Sequence, residues 1–141
     1  MRKRVFIASL FLLGIICGCS KSSSTTTNTG VPNVAVNFTI DINNPQYVNL
    51  TVPSGWMYVT GGYHGIIIYR VSQDQFNAYD RTCTYNNAGI VQVEKSSLIA
   101  IDSSCGSTFT LLSGAAQHGP ATLPLKQYVT SFDGTNLTVS N

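Results

Sequence analysis

Beyond residue 34 the chain is a succession of short stretches in which apolar and polar positions alternate. Val34-Ala-Val-Asn-Phe-Thr-Ile-Asp-Ile42 has a period of two, which sends one set of side chains to one face of an extended strand. Asn43-Asn-Pro45 marks a turn, and Tyr47-Val-Asn-Leu-Thr-Val52 alternates again, so a second strand is expected there. Pro53-Ser-Gly55 interrupts the pattern and Trp56-Met-Tyr-Val59 resumes it. After Gly61-Gly62 comes Ile66-Ile-Ile-Tyr-Arg70, a continuous β-branched run of the kind found in a strand buried on both faces. Further strands are expected at Phe76–Tyr79, Ile90–Val93, Ser97–Ile101, Thr108–Leu111, Gln127–Ser131 and Asn136–Val139. Asp133-Gly134 between the last two is a strong hairpin signal. With no convincing 3.6-residue period in this region, the pattern predicts an all-β fold, a small antiparallel sandwich or barrel.

The first 33 residues follow another logic. Arg2, Lys3 and Arg4 precede an apolar run from Val5 to Ile16, about the length of a secretory signal core and too short to span a bilayer comfortably. The run ends in Ile16-Cys17-Gly18-Cys19, which resembles the bacterial lipobox, with Cys19 as the lipidated residue. Ser20 to Asn33 is rich in Ser and Thr, with nothing to bury. The expected organisation is a lipoprotein signal peptide at 1–18, a lipidated cysteine and flexible tether at 19–33, and one domain at 34–141. The chain carries eight Lys+Arg against six Asp+Glu. Loss of the three basic residues near the start leaves five against six, so the apparent basicity belongs to the targeting segment. No basic patch remains to suggest nucleic acid as a partner. The expected location is the bacterial cell envelope, periplasmic or surface-facing, with the lipid anchor as the contact with a membrane.

Chemistry-bearing residues concentrate in three segments: Arg81-Thr-Cys-Thr-Tyr85, Asp102-Ser-Ser-Cys-Gly-Ser-Thr-Phe109 and Gly119-Pro-Ala-Thr-Leu-Pro-Leu125. In order and spacing, together with Gly65–Arg70 and Phe76–Tyr85, they resemble the ligand loops and the proline-containing loop of Rieske iron–sulfur domains. The chain is also similar to a subgroup of envelope lipoproteins in Bacteroidetes-type bacteria that keep this scaffold with altered ligands. The resemblance implies a Rieske-like antiparallel β fold. A Rieske centre takes two Cys on one iron and two His on the other, from C-x-H and C-x-x-H loops. Carried over, Cys83 matches the first cysteine, Tyr85 the first histidine, Asp102 the second cysteine and Cys105 the second histidine.

Three occupants of such a site follow from the resemblance. A disulfide between Cys83 and Cys105 is the leading expectation, because Cys17 leaves with the signal, Cys19 is lipidated, and the envelope is oxidising. The second is an atypical [2Fe-2S] centre held by Cys83, Tyr85, Asp102 and Cys105, whose two extra anionic ligands would lower its potential. The third is zinc or mononuclear iron on Cys83, Cys105, Asp102 and His118. No Ser/His/Asp arrangement and no phosphate loop is recognisable, so a non-enzymatic structural or interaction module without a cofactor is expected. The alternative is an electron-transfer protein with a redox partner in the envelope.

Overall fold

The computed structural model describes residues 29–95 and 98–141. The expected signal segment, Cys19 and the expected tether up to Asn28 lie outside the described residues. Ten strands run β1 (Asn37–Asp41), β2 (Trp56–Val59), β3 (Ile66–Arg70), β4 (Phe76–Asp80), β5 (Gln92–Val93), β6 (Ile99–Asp102), β7 (Ser107–Thr110), β8 (Ala116–His118), β9 (Gln127–Phe132) and β10 (Asn136–Ser140). They form a six-stranded sheet in the order β1-β10-β9-β4-β3-β2 and a four-stranded sheet in the order β5-β6-β7-β8. Every pairing is antiparallel. No α-helix occurs among the described residues.

The isoleucine run explains how the two sheets are joined. Alternate side chains of a strand point to opposite faces, and β3 and β4 are buried along their whole length. Ile66 and Ile68 enter one core with Leu50, Phe76, Ala78, Leu137 and Val139. Ile67 and Tyr69 enter a second core with Tyr79, Val91, Ala100, Phe109, Leu111 and Leu125. The first core closes the large sheet on itself. The second fills the space between its other face and the small sheet, and Cys83 belongs to it.

Two expectations change. Tyr47–Val52 is not a strand: Pro45–Leu50 forms a short 3-10 helix. Asn44 caps it by accepting a hydrogen bond from the Gln46 N–H at 3.2 Å, and Pro45 supplies the fixed φ of a first helical position. In a three-residue turn Tyr47 and Leu50 share a face. Leu50 is fully buried in the first core and Tyr47 packs against it, whereas Val48 and Val52 are exposed. β8 is a strand that the alternation did not mark. The Asp133-Gly134 turn forms as expected, with Asp133 accepting from the Thr135 and Asn136 N–H groups and Gly134 at φ +99°.

The chain is held to the domain before its first strand begins. The Asn87 amide donates to the Gly30 carbonyl at 2.9 Å, and Lys126 Nζ donates to the Pro32 carbonyl and Asn33 Oδ1 at 3.0 Å each.

Candidate functional site

Cys83, Asp102 and Cys105 come from two different loops and converge. The first loop leaves β4 and is closed by the Thr82–Ile90 bridge and by the Cys83 N–H donating to the Gly89 carbonyl at 3.0 Å. The second is the tight β6–β7 turn, where Gly106 N–H donates to the Asp102 carbonyl and Gly106 takes φ +75°. A residue with a Cβ is strained in that conformation. Antiparallel pairing of Asp102 with Ser107 therefore throws Cys105 back over the end of the small sheet toward Cys83.

The two Sγ atoms stand 3.8 Å apart and are not bonded. Cys105 Sγ is 3.4 Å from Asp102 Oδ2 and 3.1 Å from Ser107 Oγ. The donor atoms of Cys83, Asp102 and Cys105 all lie within 4.8 Å of one another. Gly89 makes this possible, because a Cβ there would sit 2.1 Å from Asp102 Oδ2 and 3.0 Å from Cys83 Cβ. The proline-containing segment joins from above: the Ala121 N–H donates to Ser107 Oγ at 3.1 Å, and Thr84 Oγ1 donates to the Leu123 carbonyl at 2.7 Å.

Electrostatics separate the Cys83 thiol from the Asp102 carboxylate. Burial pushes the Cys83 thiol up to about 11, assisted by its hydrogen bonds to Asp102 and Cys105. The Tyr85 and Asn86 backbone N–H groups point at its sulfur and pull the other way. Burial alone would raise Asp102. The Ser104 hydroxyl and N–H and the two thiols outweigh it and hold its carboxyl below the usual range. The pocket thus sets a carboxylate beside two thiols, with Cys105 Sγ 3.4 Å from Asp102 Oδ2.

The remaining sequence candidates lie elsewhere. Tyr85 contributes its N–H to Cys83, but its side chain is 59% exposed. His118 is exposed on β8, opposite Thr108, and is not one of the three grouped donors. Sequence reasoning passed over Ser107, Gly89 and Asp80. Asp80, fully buried at the end of β4, accepts from the Tyr63 N–H (2.7 Å), the Thr82 N–H (2.9 Å), the Thr82 hydroxyl and the Tyr128 hydroxyl (2.7 Å). It ties the start of the first loop to β9 and to the β2–β3 turn. The signal for it was present: an acid at the end of an apolar strand is buried with it, and a buried carboxylate needs partners.

No family model and no curated protein matches this chain. Among solved structures, the ferredoxin of carbazole 1,9a-dioxygenase from Nocardioides aromaticivorans IC177 aligns over 77% of this chain and 98% of its own, at 17% identity and a TM-score of 0.50. A ferredoxin solved in a complex with the oxygenase of carbazole 1,9a-dioxygenase aligns over 62% of this chain and 82% of its own, at 25% identity and TM-score 0.47. The ferredoxin of Sphingomonas yanoikuyae B1 covers 61% and 84%, at 22% identity and TM-score 0.43. The first of these shows the fold, and the other two add nothing to it. The domain has a Rieske-like ferredoxin fold.

That fold raises the question of whether these donors suit a [2Fe-2S] core. A Rieske core has an imidazole pair on one iron and a thiolate pair on the other, with bridging sulfides between. Here the grouped donors are two sulfurs and one carboxylate, and neither histidine of the chain is among them. In the family correspondence Cys83 and Cys105 fall on opposite irons, yet their sulfurs touch at 3.8 Å. Donor type departs from the Rieske set, and a dinuclear core between these residues would require the two sulfurs to part.

Proposed function

We propose that this chain is a Rieske-like module of the bacterial envelope, lipid-anchored through Cys19, in which a Cys83–Cys105 disulfide stands in place of the cluster. The observation that carries the reading is the contact of the two sulfurs across the loops. Closing the gap requires the sulfurs to approach from 3.8 Å to the bonded S–S distance of about 2.05 Å. Oxidation removes two protons and two electrons from the thiol pair, and a thiol–disulfide oxidant of the envelope, itself reduced to a dithiol, would take them up. The bridge spans 22 residues and stabilises the fold by roughly 3 kcal/mol in the chain-entropy model.

Such a module is non-enzymatic. Its role is structural or interactive, with an envelope protein as partner and the membrane as its anchor. The competing reading, electron transfer through an atypical cluster to a redox partner, draws on the fold and on the grouping of the three donors. It requires the sulfurs to part and the Tyr85 side chain to turn inward.

Alkylation of protein extracted anaerobically from the envelope, unfolded without reductant and weighed intact, separates the two. Cys83 and Cys105 are expected to resist labelling until reduced. Immediate labelling of both, together with two irons and two sulfides per chain, would overturn the proposal. The anchor has its own check: Cys19→Ala should move the protein out of the membrane fraction while leaving its fold intact.

A further inference from the structure

The spacing of the three donors carries more than a disulfide. Two sulfur ligands at about 2.3 Å from one ion, at a tetrahedral angle, stand about 3.8 Å apart, and a sulfur and a carboxylate oxygen at about 2.0 Å stand about 3.5 Å apart. The structure has 3.8 Å between Cys83 Sγ and Cys105 Sγ and 3.4 Å between Cys105 Sγ and Asp102 Oδ2. We propose that the reduced protein binds one divalent ion of the zinc class on Cys83, Cys105 and Asp102, with water in the fourth position. The inference rests on the reading above insofar as the two sulfurs face each other with no dinuclear core between them. Disulfide and ion are then alternative states of one sulfur pair.

Independent features of the surroundings suit an ion. Metal-bound thiolates are stabilised by hydrogen bonds to sulfur, and ligating carboxylates are themselves hydrogen-bonded. Ser107 Oγ lies 3.1 Å from the Cys105 sulfur and is fixed by the Ala121 N–H, so its own proton is available to a thiolate. Asp102 Oδ1 is occupied by the Ser104 N–H at 2.9 Å and the Ser104 hydroxyl at 2.7 Å, which leaves Oδ2 turned to the sulfurs. Cys105 is partly exposed and Cys83 is not, so an ion and its water would enter from the Cys105 side. Two thiolates and a carboxylate favour zinc-like ions over the hard cations magnesium and calcium.

The test is a titration of the membrane-extracted, full processed protein in detergent, stripped of metal and reduced under anaerobic conditions, with Co²⁺ as the probe. One equivalent should bind per chain, with a thiolate-to-cobalt charge-transfer band and tetrahedral visible bands, and Zn²⁺ should bleach both. Cys83→Ser and Cys105→Ser should abolish the charge-transfer band or halve it. Asp102→Asn, a change of similar shape, should weaken Co²⁺ at least tenfold, and His118→Ala should leave it unchanged. Because the cysteine variants lose a core contact as well, the decision rests on the Asp102→Asn and His118→Ala pair, with far-ultraviolet dichroism confirming the fold.

Absence of a thiolate band, a six-coordinate spectrum, or equal affinity in Asp102→Asn would overturn the site. So would a tenfold loss in His118→Ala, which would hand the fourth position to histidine. Protein that is disulfide-bonded as isolated but binds no Co²⁺ once reduced would sink this inference and leave the proposed function standing. Protein isolated with labelled thiols that binds one Co²⁺ would do the reverse.

Discussion

Asp80 shows how much one residue can hold in this fold. Burial alone would lift its carboxyl, but hydrogen bonds from Thr82, Tyr63 and Tyr128 outweigh that cost and keep it below the usual carboxylate range. The unfolded chain therefore binds the Asp80 proton more readily than the native one, and stability rises with pH through that interval. Its contribution is complete above about pH 5 and is lost as pH falls past about 4 toward the native value. Urea midpoints measured from pH 6 to pH 3 should fall, and Asp80→Asn should flatten that slope. Asp80→Ala leaves the Tyr128 and Thr82 hydroxyls and the Tyr63, His64 and Thr82 N–H groups without their acceptor and should cost on the order of 3 kcal/mol. A loss within 0.5 kcal/mol of zero would show that water takes the place of the carboxylate. Arg70 is the complementary case, a cation buried to 2% exposure that donates to the carbonyls of Leu50, Ser72 and Gln73 and lies 5.0 Å from the Phe76 ring centroid.

At the scale of elements, the two ligand-type loops approach because a glycine stands between them. Gly89→Ala would press a methyl group against Asp102 Oδ2 and Cys83 Cβ, so the carboxylate or the loop must move. We expect a loss of about 1–3 kcal/mol and a longer separation of the sulfurs, seen as slower air oxidation of the thiols. Unchanged stability and unchanged oxidation would mean that the first loop adjusts freely. The strands were legible in the sequence because their burial is periodic. Ile66–Arg70 follows directly from a continuous β-branched run, the strand expected at Phe76–Tyr79 forms as Phe76–Asp80, and the β9–β10 hairpin follows from Asp133-Gly134. The helix at Pro45–Leu50 was misread because Val48, Leu50 and Val52 fit a period of two while Tyr47 and Leu50 fit a three-residue turn, and Asn44-Pro45 decided between them. β8 escaped because Ala116-Gln-His118 has no apolar alternation and exists by pairing with β7. In the site, the convergence of Cys83 with Asp102 and Cys105 was what the resemblance of the loops to Rieske ligand loops implied. The outward turn of Tyr85 and the space made by Gly89 depend on loop geometry that no local pattern encodes.

Across the whole molecule, β3 and β4 serve both cores, so the small sheet has no apolar interior of its own to keep. Thermal unfolding should accordingly be a single transition, with near- and far-ultraviolet signals coincident. Two separated transitions would show that the sheets fold independently. The shared strands also make the melting temperature a gauge of what the loops hold. A closed bridge acts on the unfolded chain and a bound ion on the native one, yet either raises the same midpoint. Breaking the proposed Cys83–Cys105 bridge should lower it by on the order of 10 °C. On the proposed reading, a heating curve taken in an intact envelope would thus report the local supply of oxidant and of metal, with the protein as its own indicator.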